Sequence, residues 1–354
     1  MVSESLDIMY RHSLNLLAQR EVTKYRPPDR TARIPLLSLD WVWFYIPGTL
    51  CNLQCGHCLV SAGPDSRILL PMEVEELAKA LEEVAEYQEG HPFQIGFTGG
   101  EVLILKSKRF GRRLCPMVEK ALEFGDLLIL SNGILADHDT LDALVELEGR
   151  PSHSITYRIS LDGPNAKEND AIRYDLRQRP TFHLIIESLH RFLEHGIHPV
   201  IAYTYEGTGK ARDVLNRKET LGKGYKRMLR KFGLGSLESW GIPFFDQGYE
   251  TRRRNTLGLP HIESPGITNH CIDAYTNQGF EQFQCSYSRS FGKEPDGESG
   301  WYKCAVLPAK SIAADAYLGK SLKRAVREVK LNHPQCITCF HAATQGIGMS
   351  CSGN

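Results

Sequence analysis

The sequence has no excess of charge of either sign, since 42 Lys and Arg residues balance 42 Asp and Glu residues. No net basic field therefore favours nucleic acid or an anionic membrane surface as a partner. A secretory signal is not expected, because Glu4, Asp7 and Arg11 interrupt any early apolar run. Residues 41–64 contain no Asp, Glu, Lys or Arg, but their polar residues and three cysteines make a poor membrane span. We therefore expect a soluble, cytoplasmic protein without a membrane or nucleic-acid partner.

No G-x-G-x-x-G motif follows a predicted strand, which argues against a dinucleotide-binding fold. Apolar strand patterns that end in turn residues instead alternate with amphipathic helical patterns. The strand patterns occupy residues 41–48, 93–100, 127–133, 155–163 and 199–207, with a possible sixth at 236–245. Repeated strand–helix units indicate a parallel sheet covered by helices. We predict an α/β fold, a partial (β/α)6 TIM-like barrel with a small C-terminal cluster-binding domain.

The composition and periodicity of the chain change after residue 246. Residues 246–304 are rich in Gly, Asn, Gln, Ser and Arg and show little periodicity. We therefore predict three parts along the chain. They are an N-terminal extension (1–40), the barrel (41–245) and a cysteine-bearing domain (246–354) that contains a helix at about 310–331.

The cysteines are unevenly spaced, and three of them, Cys51, Cys55 and Cys58, follow the first predicted strand. Loops at the carboxyl ends of parallel strands form active sites in barrels. Clustered thiols without an export signal favour metal or redox chemistry over disulfides. Three thiolates can bind three irons of a [4Fe–4S] cluster and leave one iron open to a small molecule. The alternative is a zinc site that adds His57, although His57 directly precedes Cys58 and is poorly spaced to close one tetrahedron.

Further short motifs follow the later predicted strands in order. The set is Cys-x-x-x-Cys-x-x-Cys at 51–58, Gly-Gly-Glu at 99–101, Ser-Asn-Gly at 131–133, Ser-Leu-Asp-Gly at 160–163 and Asn-Asp-x-x-Arg at 169–173. With these motifs, residues 40–205 resemble the radical SAM superfamily. The resemblance implies a [4Fe–4S] cluster held by the three cysteines, with S-adenosylmethionine bound at the open iron.

The resemblance also implies roles for individual residues. Glu101 would hold the amino group of S-adenosylmethionine and Arg173 its carboxylate, roles that also fit their charges. Gly99 and Gly100 would allow backbone groups to approach the ligand closely. The candidates for contacts with the ribose hydroxyls or the carboxylate are Asn132, Ser160 and Asp162. Three positions depart from the family pattern. His57 stands where an aromatic residue often packs on the adenine, Asn169 replaces the usual histidine, and Tyr174 stands where glycine often follows.

A second group of cysteines lies in the C-terminal part, with the spacing C-x18-C-x31-C-x2-C. Its members are Cys285, Cys304, Cys336 and Cys339. Four thiolates would close a cluster entirely, which suits electron transfer. The segment resembles the twitch domain, a shortened relative of the SPASM domain, and this implies one auxiliary [4Fe–4S] cluster. The alternative is a zinc site of four cysteines.

Two further cysteines and a basic triplet remain. Cys271 and Cys351 are predicted to be incidental thiols, and the alternative is that either donates a hydrogen atom to a substrate radical. Cys271 is also an alternative to Cys285 as a ligand. The triplet 252–254 is predicted to be solvated or paired with acidic residues, and the alternative is a site for an anionic substrate group.

The predicted function is radical chemistry initiated by reductive cleavage of S-adenosylmethionine. The 5′-deoxyadenosyl radical would remove a hydrogen atom from a small metabolite, with oxidation or epimerisation as the net result in natural-product tailoring. Modification of a ribosomal peptide or a protein is the alternative within the same class. A zinc-stabilised binding module is the alternative from another class. An external electron donor of the flavodoxin or ferredoxin type is the expected partner.

Overall fold

The computed structural model describes residues 31–149, 153–207, 211–262, 266–276 and 279–344. The strands are β1 (Arg33–Ile34), β2 (Trp41–Phe44), β3 (Gln94–Phe97), β4 (Leu127–Ser131), β5 (Ile155–Ser160), β6 (Val200–Tyr205), β7 (Ser239–Pro243), β8 (Ser288–Lys293), β9 (Ser299–Tyr302), β10 (Tyr317–Gly319) and β11 (Val329–Lys330). The helices are α1 (Val74–Gln88), α2 (Leu114–Leu122), α3 (His138–Glu148), α4 (Ala166–Asp170), α5 (Phe182–Glu194), α6 (Ala211–Lys231), α7 (Tyr249–Leu257), α8 (Asn269–Tyr275), α9 (Gln284–Tyr287), α10 (Leu322–Ala325) and α11 (Pro334–Thr344). Short 3-10 helices cover Val102–Lys106, Lys108–Phe110, Gly279–Gln282 and Ala314–Ala316.

The predicted parallel sheet is confirmed. Strands β2 to β7 lie side by side in chain order, and each pairs in parallel with the next. All six strand patterns seen in the sequence form strands, and α1, α2, α3, α5 and α6 fill the connections between them. Parallel neighbours require such crossovers, and their helices cover the faces of the sheet. The fold is therefore α/β, with the six-unit arrangement of a partial TIM-like barrel.

The helices form where apolar residues recur at helical spacing. In α5, Ile185, Leu189 and Phe192 are buried and lie on one stripe, as the i, i+4, i+7 spacing requires. At the start of α1, the backbone N–H of Glu73 donates to the Glu76 carboxylate at 2.8 Å. The buried helix stripes and many buried strand side chains form the main hydrophobic core, while Trp41, Trp43 and Leu128 form a separate small cluster.

The C-terminal part extends the same sheet. Strand β8 pairs in parallel with β2, β9 pairs antiparallel with β8, and β10 pairs antiparallel with β9. Within the described residues, one nine-stranded sheet thus runs from β10 at one edge to β7 at the other. The domain division near residue 246 stays a prediction, since strands from both sides of it share this sheet.

The helix predicted over residues 310–331 was wrong. This segment holds the 3-10 turn at Ala314–Ala316, the strand β10, the four-residue helix α10 and the strand β11. The pairing of β10 with β9 fixes Tyr317 and Gly319 in the sheet, with a shift of register between them, and Gly319 has a φ of 129°, which is incompatible with a helix. Tertiary pairing thus overrides the helical propensity of a segment rich in Ala, Leu and Lys.

The residues just before the barrel are tied to the far end of the chain. Strand β1 pairs antiparallel with β11, which aligns Arg33 with Lys330 and Ile34 with Val329. Residues 1–30, which make up most of the predicted N-terminal extension, lie outside the described residues. Among the described helices, none combines the length and apolar character needed to cross a membrane.

Candidate active site

The motif residues converge at one edge of the parallel sheet. The cysteine loop follows β2, Glu101 follows β3, Asn132 follows β4, and Asp162 follows β5. Carboxyl ends of parallel strands meet at the same edge, so residues far apart in sequence become neighbours there. Hydrogen bonds and ion pairs link these four segments to one another.

Gly99 and Gly100 allow the cysteine loop to lie directly on the end of β3. The backbone N–H of Gly100 donates to the Gly48 carbonyl at 2.9 Å, and that of Glu101 donates to the Leu50 carbonyl at 2.8 Å. A Cβ on Gly100 would lie 1.8 Å from the Leu50 oxygen, and one on Gly99, whose φ is 125°, would lie 2.3 Å from the Gly48 oxygen. The close approach predicted at these glycines is therefore made by the protein's own loop.

The three thiols of the loop form a group with hydrogen-bond donors around it, in which Cys51 and Cys55 are buried and Cys58 is half-buried. Cys51 Sγ accepts from the Leu53 N–H at 3.4 Å, and Cys58 Sγ accepts from the Ala62 N–H at 3.2 Å. Burial raises the pKa of Cys55 to about 12, against the opposing charge of a nearby arginine. Such thiols stay protonated at neutral pH, so binding of a metal cluster must release their protons. The donor set fits a thiolate-bound iron–sulfur cluster.

Glu101 ties the ends of β3 and β4 together. Its buried carboxylate accepts from Ser131 Oγ at 2.6 Å, from the Asn132 N–H at 2.7 Å and from the Leu103 N–H at 3.0 Å. Burial raises the pKa of Glu101, while these hydrogen bonds oppose the shift. An ionised carboxylate has about four acceptor positions, so one remains for a ligand such as an ammonium group.

Asn132 connects the end of β4 to the cysteine loop. Its Nδ2 donates to Asn52 Oδ1 at 2.8 Å and lies 3.9 Å from Cys51 Sγ, while its Oδ1 accepts from the Ile134 N–H at 3.1 Å. Asn132 therefore already has partners on both of its polar atoms. Ser160, also predicted to contact the ligand, is the half-buried last residue of β5.

Asp162 and Arg173 form a buried ion pair beside the thiols. Arg173 Nε donates to Asp162 Oδ2 at 2.5 Å, and Arg173 Nη1 points at Cys55 Sγ, 3.6 Å away. His57 Nε2 lies 3.1 Å from the same Asp162 oxygen, and the Thr204 N–H and Oγ1 donate to the other oxygen at 2.7 and 2.5 Å. Burial alone would raise the pKa of Asp162, but the charges of Arg173 and His57 outweigh it and lower this pKa. Asp162 thus orients Arg173 and His57 with both of its oxygens engaged.

Two of the departures from the family pattern, His57 and Asn169, have defined surroundings. His57 packs edge-on against Phe244, with ring centroids 5.6 Å apart, and its buried Nδ1 has no hydrogen-bond partner among the described residues. Asn169 Oδ1 accepts from the Asp162 N–H at 3.1 Å, and its Nδ2 donates to Thr181 Oγ1 at the same distance. Asn169 therefore fixes the backbone that carries Asp162.

An open cavity lies next to these residues, between the cysteine loop and α7. Its wall includes Cys55, Tyr174, Phe244, Tyr249 and Arg252. The three aromatic residues lie on loops or at a helix start and were not predicted to belong to the site. Their positions after β7 and after the Asn-Asp-x-x-Arg motif could have indicated this, because residues there reach the mouth of a barrel.

The basic triplet has three different environments. Arg254 is fully buried, and its Nη2 donates to both Glu206 oxygens at 2.8 and 2.7 Å. Arg253 donates to the buried Glu250 carboxylate at 2.6 and 2.7 Å. Arg252 is exposed, lies over the Tyr249 ring at 5.2 Å and lines the cavity. Two of the three arginines are therefore structural ion-pair partners.

The four C-terminal cysteines line a second, smaller cavity. Cys285 lies in α9, Cys304 follows β9, and Cys336 and Cys339 occupy one face of α11 because they are three residues apart. Burial raises the pKa of Cys336 to about 11 and also raises that of Cys285. Within the described residues, no three or more His, Cys, Asp or Glu side chains surround a single ion position. The ligands of an iron–sulfur cluster bind different irons, so they do not need to converge on one point.

The leftover cysteines are placed differently. Cys271 lies in the first turn of α8, where its Sγ is 3.2 Å from Thr268 Oγ1. It is Cys285 that lines the cavity with the other three cysteines. Cys351 lies outside the described residues, so its predicted roles are untested.

Comparisons with known proteins agree with this geometry. Residues 45–209 match the family model of the Radical SAM superfamily. The chain is similar to a solved structure described as "Native anSMEcpe with bound AdoMet", with a TM-score of 0.52, 14% sequence identity and coverage of 80% of each chain. A structure described as "Native anSMEcpe with bound AdoMet and Cp18Cys peptide" has a TM-score of 0.52 at 15% identity, covering 80% of this chain and 79% of that one. None of the curated proteins matches the chain.

At these identities the structural likeness concerns the fold, while the family match concerns the segment that carries the motifs. That segment includes the three clustered thiols and the residues that surround them. The family implies a [4Fe–4S] cluster and S-adenosylmethionine, and it supports an enzymatic function. The match to the Radical SAM superfamily thus spans residues 45–209, which carry all of the site's short motifs.

Proposed function

We propose that this protein cleaves S-adenosylmethionine reductively at an iron–sulfur cluster bound by Cys51, Cys55 and Cys58. When bound, the cluster and S-adenosylmethionine together supply a 5′-deoxyadenosyl radical, which removes a hydrogen atom from the substrate. The observation that carries the proposal is the placement of the Arg173 guanidinium, 3.6 Å from Cys55 Sγ, beside the three clustered thiols of the loop. A cation at this point suits the carboxylate of a ligand on the neighbouring iron.

The remaining residues of the site are proposed to hold the ligand in this position. Glu101, with one acceptor position left, binds the ammonium group, and Ser160 and Asn132 contact the ribose or the carboxylate. Asp162 positions Arg173 and does not itself bind the ligand, because its oxygens already accept from Arg173 and Thr204. His57 Nδ1, which has no partner in the described part of the chain, is available to the nucleoside.

We further propose that the four C-terminal cysteines bind an auxiliary [4Fe–4S] cluster in a twitch-like domain. The support is their convergence on one cavity from α9, the turn after β9, and α11. A cluster with four thiolate ligands suits electron transfer. The proposed net reaction is oxidation of a small metabolite, with epimerisation as the alternative that needs no electron acceptor.

The substrate is proposed to bind in the cavity between the cysteine loop and α7. A small metabolite would contact its aromatic wall, and the exposed Arg252 would reach an anionic group on it. A peptide is the alternative substrate, and a structure of similar fold is described with a bound peptide. A flavodoxin- or ferredoxin-type protein is the proposed electron donor.

The test is anaerobic reconstitution, followed by measurement of iron, sulfide and zinc per chain. Production of 5′-deoxyadenosine from S-adenosylmethionine and dithionite is followed by HPLC. We expect about eight irons and product for the wild type, and about four irons without product for Cys55→Ala. Cys339→Ala should lose about four irons but still form 5′-deoxyadenosine.

The matched control is Cys115→Ala in α2, outside both cysteine groups, which should behave as the wild type. Zinc in native protein, with no product after reconstitution, would support a zinc-stabilised binding module and contradict the proposal. About four irons with product would retain the radical chemistry and remove the auxiliary cluster.

A further inference from the structure

Two cations lie beside the cavity that the four C-terminal cysteines line. Arg289 lies in β8, four residues after Cys285, and Lys303 directly precedes Cys304. Arg289 is 0% exposed and Lys303 is 3% exposed. Buried cations are rare in proteins unless an opposite charge accompanies them.

Arg289 has only neutral partners among the described residues. Its guanidinium donates to four main-chain carbonyls, those of Cys285 (2.6 Å), Ser288 (2.8 Å), Ala325 (2.9 Å) and Arg327 (2.8 Å). No carboxylate within the described part of the chain forms an ion pair with it. A desolvated charge costs several kcal/mol when no counter-charge compensates it. The groups near Arg289 that can become anionic are the Cys285 and Cys304 thiols and the Tyr87 phenol, and of these only the two thiols line the cavity.

Lys303 is only weakly compensated. Its Nζ donates to the Lys330 carbonyl at 3.2 Å and to Asn332 Oδ1 at 3.1 Å. The Asp315 carboxylate is 3.8 Å away, and its side chain is 51% exposed to solvent, which screens the interaction. Lys303 itself lines the cavity together with the cysteines.

We propose that Arg289 and Lys303 are the counter-charges of an anionic centre bound by Cys285, Cys304, Cys336 and Cys339, and that they raise its reduction potential. The inference rests on the proposed auxiliary cluster. Four thiolates make such a centre anionic, and an added electron makes it more negative by one charge. Neighbouring fixed cations stabilise the reduced form more than the oxidised form, and burial strengthens this effect.

The reduction potential of this centre affects which net reaction the protein can catalyse. Oxidation requires that the substrate lose one hydrogen atom to the radical, then one electron to an acceptor and one proton to water. A centre that accepts an electron readily can take this electron and pass it to a carrier protein of the ferredoxin or flavodoxin class. Epimerisation would not need such a centre, so the two cations favour the oxidative branch.

The experiment isolates the auxiliary cluster in a Cys51→Ala/Cys55→Ala/Cys58→Ala variant. Its midpoint potential is measured by redox titration monitored by EPR. Lys303→Met removes one charge, while Lys303→Arg keeps it and serves as the matched control. We expect a more negative midpoint potential for Lys303→Met and an unchanged one for Lys303→Arg, at equal iron content.

Arg289→Met should shift the potential in the same direction, but Arg289 also supports four carbonyls, so the Lys303 pair decides the test. An unchanged midpoint potential in Lys303→Met, with the cluster fully loaded, would overturn the role of the cations and leave the auxiliary cluster intact. A triple-alanine parent that binds no iron would overturn the auxiliary cluster, and this inference with it.

Discussion

Replacement of Asp162 by asparagine tests the central ion pair of the site. The carboxylate side chain is 1% exposed and that of Arg173 is 11% exposed, so solvent barely screens the pair. Asparagine keeps the shape and can still accept from Thr204, but it leaves the Arg173 charge without its partner. Removing one member of a buried pair costs about 3–5 kcal/mol in the free energy of unfolding.

The assay is urea denaturation of reconstituted protein under anaerobic conditions. The midpoint for Asp162→Asn should fall by this free energy divided by the denaturant slope, which for a chain of this length exceeds the value of about 1–3 kcal/mol/M for small proteins. Thr204→Val removes one donor to the same carboxylate and keeps both charges, so it should cost only about 1–2 kcal/mol. The double variant with Arg173→Met should lose less than the sum of the two single variants.

The contribution of Asp162 to the free energy of unfolding should depend on pH. Because the pKa of Asp162 is lower in the fold than in the unfolded chain, its contribution is present above the unfolded value of about 4. The contribution is lost as the pH falls below that value towards the folded pKa. The difference between wild type and Asp162→Asn should therefore persist at pH 5 and pH 8. An Asp162→Asn midpoint no lower than that of Thr204→Val would refute the reasoning.

Three further predictions concern other parts of the chain. Gly100→Ala should prevent iron binding at the first cluster, because its Cβ would lie 1.8 Å from a carbonyl oxygen of the cysteine loop, whereas Gly90→Ala, with open space around its Cβ, should leave iron content unchanged. Arg254→Met should lower the free energy of unfolding by about 3–5 kcal/mol because it removes the buried cation that joins Glu206 to the buried Glu250, whereas the exposed Arg252→Met should change it by less than about 0.5 kcal/mol. Asp137→Ala should cost about 1 kcal/mol, because Asp137 caps α3 by accepting from the Thr140 N–H at 3.0 Å.

Each of these predictions has an outcome that would contradict it. Equal iron content in Gly100→Ala and Gly90→Ala would show that the loop can move away from β3. Similar urea midpoints for the Arg254 and Arg252 variants would mean that the buried pair adds nothing. An unchanged midpoint for Asp137→Ala would show that another group satisfies the first turn of α3.

The barrel strands could be predicted because their signals are local. Residues 127–133 and 155–163, for example, are apolar runs that end in turn residues, and both form strands of the parallel sheet. The motifs were equally readable, since the cysteine spacing and the order of the strand ends are properties of the chain itself. The prediction of a helix over residues 310–331 was wrong because strand β10 forms only through its pairing with β9.

Local patterns in the chain specify the alternation of strands and helices, the cysteine loop after β2 and the residues at the strand ends. The use of these residues depends on the folded arrangement, because hydrogen bonds between distant strand ends leave no periodic pattern in the sequence. Asp162 and Arg173 neutralise each other, Glu101 joins β3 to β4, and Arg289 is buried without a carboxylate partner among the described residues. Each of these features depends on burial and on contacts between separate elements, and burial sets how strongly two charges interact.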